Sequence, residues 1–274
     1  MTARRISRNW LLGAAAALGT LGIACAAIAL AGTQPAEVTS MENEPGITRI
    51  CLPLPYRLGT VNCYLIAASG GPAETGSGYV LVDTGCAGQR ASLEKALLGA
   101  GCRPGDLKLI VLTHGDFDHT GNAAYLRDRF GARIAMHQGD SGMAERGDMF
   151  SNRKSANAIL RTISPLLFGF GRAERFVPDL YVEDGDDLDA YGLAAQIVHI
   201  PGHSSGSIGV LTAGGSLFVG DLLENTGQPA YNSIMDDATA AQASIEKLQG
   251  LPVQTIYPGH GKPFAWAQFL QDRR

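Results

Sequence analysis

The sequence predicts an α/β chain of the α+β kind, folded as an αββα sandwich of two mixed sheets with helices on the outer faces. Three observations predict it. Short apolar runs of strand length recur from residue 47 to residue 257. Helical patterns with one apolar face are interspersed among them. The strand-rich stretches form two halves, with a less regular segment at 139–178, and layered packing gives each apolar face something to bury against.

Residues 1–31 read as a targeting segment, either a signal peptide or an N-terminal membrane anchor. Arg4, Arg5 and Arg8 precede an almost wholly apolar stretch from Trp10 to Ala31, and Ala29-Leu30-Ala31 offers a small-x-small cleavage site. The stretch is also just long enough to span a bilayer. Positive charge before the span places the rest of the chain outside the cytoplasm in both cases, periplasmic or secreted, with membrane contact only through an uncleaved segment. Residues 32–46 are polar with Pro and Glu and read as a linker. A single domain is expected over 47–274.

Ile47 to Leu52 and Val61 to Ala67 read as the first two strands, and Ser69–Gly78 as a loop by its glycine content. Tyr79 to Val82 is a strand ending at Asp83. Leu93, Ala96, Leu97 and Ala100 recur at i, i+3, i+4 and i+7, which predicts a helix over 89–101. Leu107 to Leu112 is a buried strand, Thr120 to Phe130 the next helix and Ala132 to Met136 the next strand. In the segment 139–178 Arg146, Arg153, Lys154, Arg161, Arg172 and Arg175 surround an apolar patch, Pro165 to Phe170. Either a lid or a solvated basic face over a small satellite core fits it. Ala194 to Ile200, Ile208 to Leu211 and Ser216 to Val219 are strands. Asp237 is a candidate cap for a helix over 238–249. Val253 to Tyr257 is the last strand and Phe264 to Leu270 a closing helix.

The net charge is −4, and the three arginines of the first 31 residues leave −7 on the remainder. That argues against a nucleic-acid surface, which needs a basic face, and leaves a small molecule as the expected partner. Cys51 and Cys63 could face each other across the first two strands. Cys86 and Cys102 lie at opposite ends of a helix, too far apart to bond. His137 and His199 sit in strand-like runs and read as structural.

The chemistry concentrates in Thr113-His114-Gly115-Asp116-Phe117-Asp118-His119-Thr120. Four metal-competent side chains fall within six positions, directly after an apolar strand. Burying that many carboxylates without a cation would be costly, and imidazole with carboxylate suits Zn, Fe or Mn. Further short motifs follow apolar runs: Leu81-Val82-Asp83-Thr84-Gly85, Pro201-Gly202-His203-Ser204-Ser205-Gly206-Ser207, Phe218-Val219-Gly220-Asp221 and Tyr257-Pro258-Gly259-His260-Gly261.

In this order the motifs resemble those of the metallo-β-lactamase fold superfamily over roughly residues 47–265. The metal motif of that superfamily is His-x-His-x-Asp-His, and this chain has Asp116 in place of the second His. The resemblance implies a catalytic domain that binds two divalent metal ions, Zn above all, with Fe or Mn compatible with the site that contains Asp116. It implies His114, Asp116 and His203 as ligands of one ion, Asp118, His119 and His260 as ligands of the other, and Asp221 as a bridge, because two close cations repel unless an anion lies between them. A metal-bridging hydroxide would be the nucleophile, with Asp118 orienting it as a catalytic residue. Asp83, and Thr113 or Thr120, would support the ligands. Tyr231 and Asn232, in the loop after Asp221, are candidate substrate contacts.

The implied activity is hydrolysis of a small ester, thioester, lactone or phosphodiester. β-Lactam hydrolysis is the alternative, disfavoured because β-lactamases of the superfamily carry Cys or Ser where this chain has Asp221. A non-hydrolytic iron or other metal-binding redox protein is a third reading, motivated by Asp116.

Overall fold

The structure is a computed structural model and describes residues 36–41, 44, 46–68, 78–153 and 171–271. The targeting segment, the loop at 69–77, and Lys154, Arg161 and the Pro165–Phe170 patch lie outside the described residues.

The expected αββα layering is present. The first half supplies β1 (Glu37–Ser40), β2 (Ile47–Pro53), β3 (Thr60–Ala68), β4 (Gly78–Val82), β5 (Leu107–Val111), β6 (Arg133–Met136) and β7 (Leu180–Tyr181). These form one sheet in sequence order, antiparallel from β1 to β4 and parallel from β4 to β7. The second half supplies β8 (Ala195–His199), β9 (Ile208–Thr212), β10 (Ser216–Gly220), β11 (Leu223–Glu224), β12 (Ala230–Tyr231), β13 (Thr255–Pro258) and β14 (Phe264–Ala265). Its sheet has the order β14-β13-β10-β9-β8, with β10 and β13 parallel and the other pairs antiparallel.

Side chains alternate across each strand, so one set fills the space between the sheets and the other faces the helices. Tyr64, Ile66, Val80, Val82, Val111, Ile197, Val210, Phe218 and Tyr257 pack between the sheets. Tyr64, Phe218 and Tyr257 pack ring against ring there with centroids 4.9–5.4 Å apart, Phe218 stacked on Tyr257 and Tyr64 edge-on to Tyr257. On the outer face of the first sheet, α1 (Arg90–Gly99) and α3 (Ala123–Phe130) cover Val61, Cys63, Leu65 and Ile110. On the outer face of the second, α5 (Ala238–Gln249) and α6 (Trp266–Gln271) cover Val198, Leu217 and Ile256. Asp237 caps α5 as its position predicts, accepting from the Ala240 N–H at 3.0 Å.

Four expectations are corrected. Within the expected linker, Glu37–Ser40 is an edge strand paired with β2; its side chains are exposed, so no apolar pattern marks it. The helix expected over Thr120 to Phe130 is two helices, α2 (Phe117–Thr120) and α3, broken at Gly121-Asn122. The break seats Gly121 against the Cys86–Ala87 backbone, too close for any side chain, while the Asn122 amide donates to the carbonyls of Thr84 and Cys86. The closing segment is the short strand β14 followed by α6. Finally, Cys51 pairs in register with Asn62 and Cys63 with Ile50. The two thiols therefore point to opposite faces of the sheet and are free, as are Cys86 and Cys102. Among the described residues no helix is long and apolar enough to cross a membrane.

The layering decides where the loops go. Asp83 follows β4, the His114–His119 stretch follows β5, His203 follows β8, Asp221 follows β10 and His260 follows β13. These strands all run toward one rim of the sandwich, so their C-terminal loops meet there, the usual place for a site in open α/β sheets.

Candidate metal centre

The side chains of His114, Asp116, Asp118, His119, His203 and Asp221 are buried at this rim, and His260 is partly buried. Their ligand atoms form three overlapping groups, each within 4.8 Å: His114, Asp116 and His203; His114, His119 and Asp221; Asp118, His119 and His260. Asp221 lies between the outer two groups. Its Oδ1 is 3.4 Å from His119 Nε2, and its Oδ2 is 3.2 Å from His260 Nε2 and 4.0 Å from His203 Nε2. His260 Nε2 is 3.5 Å from Asp118 Oδ2.

Each histidine is oriented by its other nitrogen. The Nδ1–H of His260 donates to the Thr60 carbonyl at 2.6 Å, and that of His203 to the Ile234 carbonyl at 2.6 Å. His119 Nδ1 donates to Asp83 Oδ2 at 2.8 Å. Thr113 Oγ1 donates to Asp83 Oδ2 at 2.8 Å, which leaves its lone pair to accept His114 Nδ1–H at 3.0 Å. All four Nε2 atoms consequently face the same small volume. A pinned Nδ1 of this sort fixes the tautomer a metal-binding imidazole needs.

Three atoms in that volume are buried and lack a hydrogen-bond partner among the described residues: His114 Nε2, His119 Nε2 and Asp221 Oδ1. Orphaned buried polar atoms are rare and costly. Their convergence with carboxylates within a few ångströms fits divalent cations, which such a donor set binds well.

Asp83 carries the largest share of the support. Its carboxylate accepts from the Thr113 backbone N–H, the Thr113 hydroxyl and His119 Nδ1. Its backbone φ is +60°, in the left-handed region that non-glycine residues rarely occupy. These three bonds hold the residue in a conformation that costs about 1–3 kcal/mol. Asp83→Asn keeps the size but loses the charge and one acceptor. It is expected to weaken metal binding by about 10- to 100-fold, measured by competition with a chromophoric chelator; unchanged affinity would remove this role.

Other supports come from Asp140 and Asn62, which no spacing marks, and from Thr120. Asp140, at the start of α4 (Gln138–Arg146), accepts from Gly115 N–H at 3.0 Å, Ser204 Oγ–H at 2.5 Å and Gly206 N–H at 2.9 Å, tying the His114 and His203 loops together. The Asn62 amide donates to the carbonyls of Pro258 and Gly261 at 2.9 Å and so frames His260. Thr120 Oγ1 donates to the Asp116 carbonyl at 3.0 Å, closing the turn between the ligands.

Arg153, expected in a solvated basic face or a lid, reaches the centre instead. Its Nη2 lies 2.7 Å from both carboxylate oxygens of Asp116 and 3.0 Å from His203 Nε2. His137 and His199 stay outside, their rings stacked 4.3 Å apart, and His137 accepts the Gly139 N–H that caps α4. Tyr231 points to Gln242 and packs on Phe269, and Asn232 accepts the Ile234 N–H, next to the carbonyl that holds His203.

The electrostatics are those of a charged cluster lacking bulk water. Burial would raise Asp116, but Arg153, with His114 and His203, holds its carboxyl well below the usual range. Burial opposes ionisation of Asp221 too, and His260 and His119 keep it low. Burial drives His114 down, with His119 adding repulsion. Burial also pulls on His119, His203 and His260, yet their carboxylate neighbours prevail: Asp221 and Asp83 raise His119, Asp116 raises His203, and Asp221 raises His260 from 6.5 to about 9. A ligand imidazole must be neutral. Cation uptake by the metal-free protein should therefore release protons, and affinity should rise with pH between 6.5 and about 9. Calorimetric titration of Zn²⁺ in buffers of different ionisation enthalpy measures the release; a buffer-independent heat would contradict it.

Comparison with known proteins gives the family. The sequence profile described as "Metallo-beta-lactamase superfamily" matches residues 56–260. The chain is 31% identical over 179 residues to the acyl-coenzyme A thioesterase MBLAC2 of Bos taurus, covering 60% of this chain and 59% of that protein, so it spans less than two thirds of that relative's length. It is 30% identical over 161 residues to hydroxyacylglutathione hydrolase GloC of Haemophilus influenzae, covering 57% and 69% of the two chains. Among solved structures, TTHA1623 in a di-iron-bound form superposes with a TM-score of 0.57 at 27% identity, covering 77% of this chain and 92% of that one. With its profile match, its αββα layers and the ligand-bearing loops gathered at one rim, the chain belongs to the metallo-β-lactamase superfamily.

Proposed function

We propose that this chain is a dinuclear metal-dependent hydrolase acting on a small thioester or a related ester. The observation that carries the reading is the convergence of four oriented Nε2 atoms and three carboxylates on one volume containing three unpartnered buried atoms. His114, Asp116 and His203 would hold one ion, Asp118, His119 and His260 the other, and Asp221 would lie between them. When bound, such a pair of cations supplies a nucleophile from water near neutral pH and polarises the substrate's carbonyl oxygen. Each side offers two histidines and one aspartate, a donor set that suits Zn, and Asp116, standing where the superfamily motif has His, makes its side harder than that motif would and compatible with Fe or Mn. The di-iron form of TTHA1623 supports iron as an occupant.

The chain's own residues supply position and charge. Asp83 and Thr113 hold His119 and His114 in the required tautomers. Asp118, whose Oδ2 lies 3.5 Å from His260 Nε2, would orient the attacking water and take its proton. Two relatives named for thioester hydrolysis support that substrate class over the lactone, phosphodiester and β-lactam alternatives. The net charge of −4 supports a small-molecule substrate over a nucleic acid. The N-terminal sequence pattern supports an extracytoplasmic location.

The test is a panel on the metal-loaded protein: acetyl-coenzyme A, S-lactoylglutathione, a homoserine lactone, bis-p-nitrophenyl phosphate and nitrocefin. Turnover of a thioester above the rest is expected. Turnover of nitrocefin alone, or of nothing with two metals bound, would overturn the assignment.

A further inference from the structure

The two halves of the centre are not equivalent, and Arg153 is the reason. One half, Asp118, His119 and His260, has no Arg or Lys side chain bonded to its ligand atoms among the described residues. The other half has one. The Nη2 of Arg153 stands 2.7 Å from Asp116 Oδ1, 2.7 Å from Asp116 Oδ2 and 3.0 Å from His203 Nε2, while His114 Nε2 has no hydrogen-bond partner among the described residues. Arg153 and Asp116 are 5% and 4% exposed, so the pair is held away from water.

The position of that nitrogen matters. An ion ligated by Asp116 and His203 would lie about 2.0–2.2 Å from the same three atoms. The guanidinium nitrogen lies only slightly farther from them, on the same side. Two cations cannot share that place, both for lack of room and because their repulsion in a low-dielectric pocket is strong. A guanidinium stays charged at every accessible pH, so it cannot yield by losing a proton.

We propose that Arg153 is a resident cation of the Asp116 site and competes with the metal for Asp116 and His203. The metal centre then fills in order: Asp118, His119 and His260 take the first ion, and the second enters only as Arg153 gives up its carboxylate. This rests on the dinuclear reading above and adds an internal competitor to it. The arginine also accounts for the carboxylate. A His in place of Asp116 would offer a guanidinium no charge, whereas Asp116 serves both cations in turn.

The experiment is a titration of the full-length, metal-free protein with Zn²⁺ alone, read by calorimetry and by metal analysis after equilibrium dialysis. The wild type is expected to bind two ions in separate steps, the second at least about tenfold weaker. Arg153→Met, which keeps bulk and removes charge, is expected to strengthen the second step by about 10- to 100-fold, the range that changes next to a ligand commonly produce. Arg153→Lys should keep the two steps apart. Two steps of equal affinity in the wild type would overturn the proposal without any variant, as would a second step weakened by Arg153→Met. Failure of either protein to bind any ion would overturn the metal-centre reading itself, a result distinct from equal steps.

Discussion

Replacing Asp221 by Ala is expected to cost the protein at least one of its two metal ions and to lower turnover by about 10³-fold or more, close to 4 kcal/mol of transition-state stabilisation. Asp221 approaches both halves of the centre, with Oδ1 toward His119 and Oδ2 toward His260 and His203. Without it, two divalent ions would face each other with no protein anion between them. The freed His260 should also lose its elevated pKa, because Asp221 is what raises it against burial. Metal analysis of the dialysed variant and single-substrate kinetics check both halves of the prediction. Two ions retained with full activity would remove Asp221 from the centre.

Gly259→Ala is expected to be nearly as damaging although it adds a single carbon. A Cβ there would sit 2.7 Å from His119 Cε1 and closer still to Asp221 Oδ1. Neither neighbour can retreat easily, since Asp83 pins His119 and the Gly259 backbone is bonded on both sides, to Gly220 and to Asn62. The methyl group would push a ligand out of place, and displacement by about 1 Å commonly costs about 100-fold in rate. Overpacking should also lower stability by about 1–3 kcal/mol. Gly131→Ala provides the comparison. Gly131 caps α3 with φ +76° and has open space around it. That variant should lose about 1 kcal/mol of stability from backbone strain while metal content and rate stay unchanged. Equal metal loss in both variants would indicate general destabilisation instead of a local clash.

The parts of this molecule readable from its sequence are those encoded locally. A strand is an apolar run, and a ligand loop is a cluster of His and Asp at its end; both lie within ten residues of chain. His114, Asp116, Asp118 and His119 stand out for that reason, whereas His203, Asp221 and His260 are named by the resemblance of their short motifs to those of the superfamily; the αββα layering follows from the alternation of strands and helices. Residues acting across long separations left no such trace. Asp140 is 64 residues from Ser204, and Asn62 is 196 residues from Pro258. Nothing in the spacing of either announces a partner. Arg153 is the sharpest case. As one of five arginines, beside one lysine, in an irregular segment it looks like surface charge, and only the fold brings it to Asp116. One signal was available in hindsight: the unusual Asp116 puts an additional carboxylate into a buried cluster, and such a charge calls for a cation. The pairing of Cys51 and Cys63 failed on parity. A one-residue difference in register decides which face of a sheet a side chain occupies, and the sequence pattern around the turn does not determine that register.

The central claim is that two cations gather at one rim of the sandwich. Anomalous difference maps from crystals of the metal-loaded protein, collected on both sides of the metal's absorption edge, test it most directly. The account predicts two peaks about 3.5–4 Å apart, one among Asp118, His119 and His260, the other among His114, Asp116 and His203, with Asp221 between them and Arg153 moved off Asp116. Peaks elsewhere on the molecule, or none at this rim in protein shown to contain metal, would contradict it.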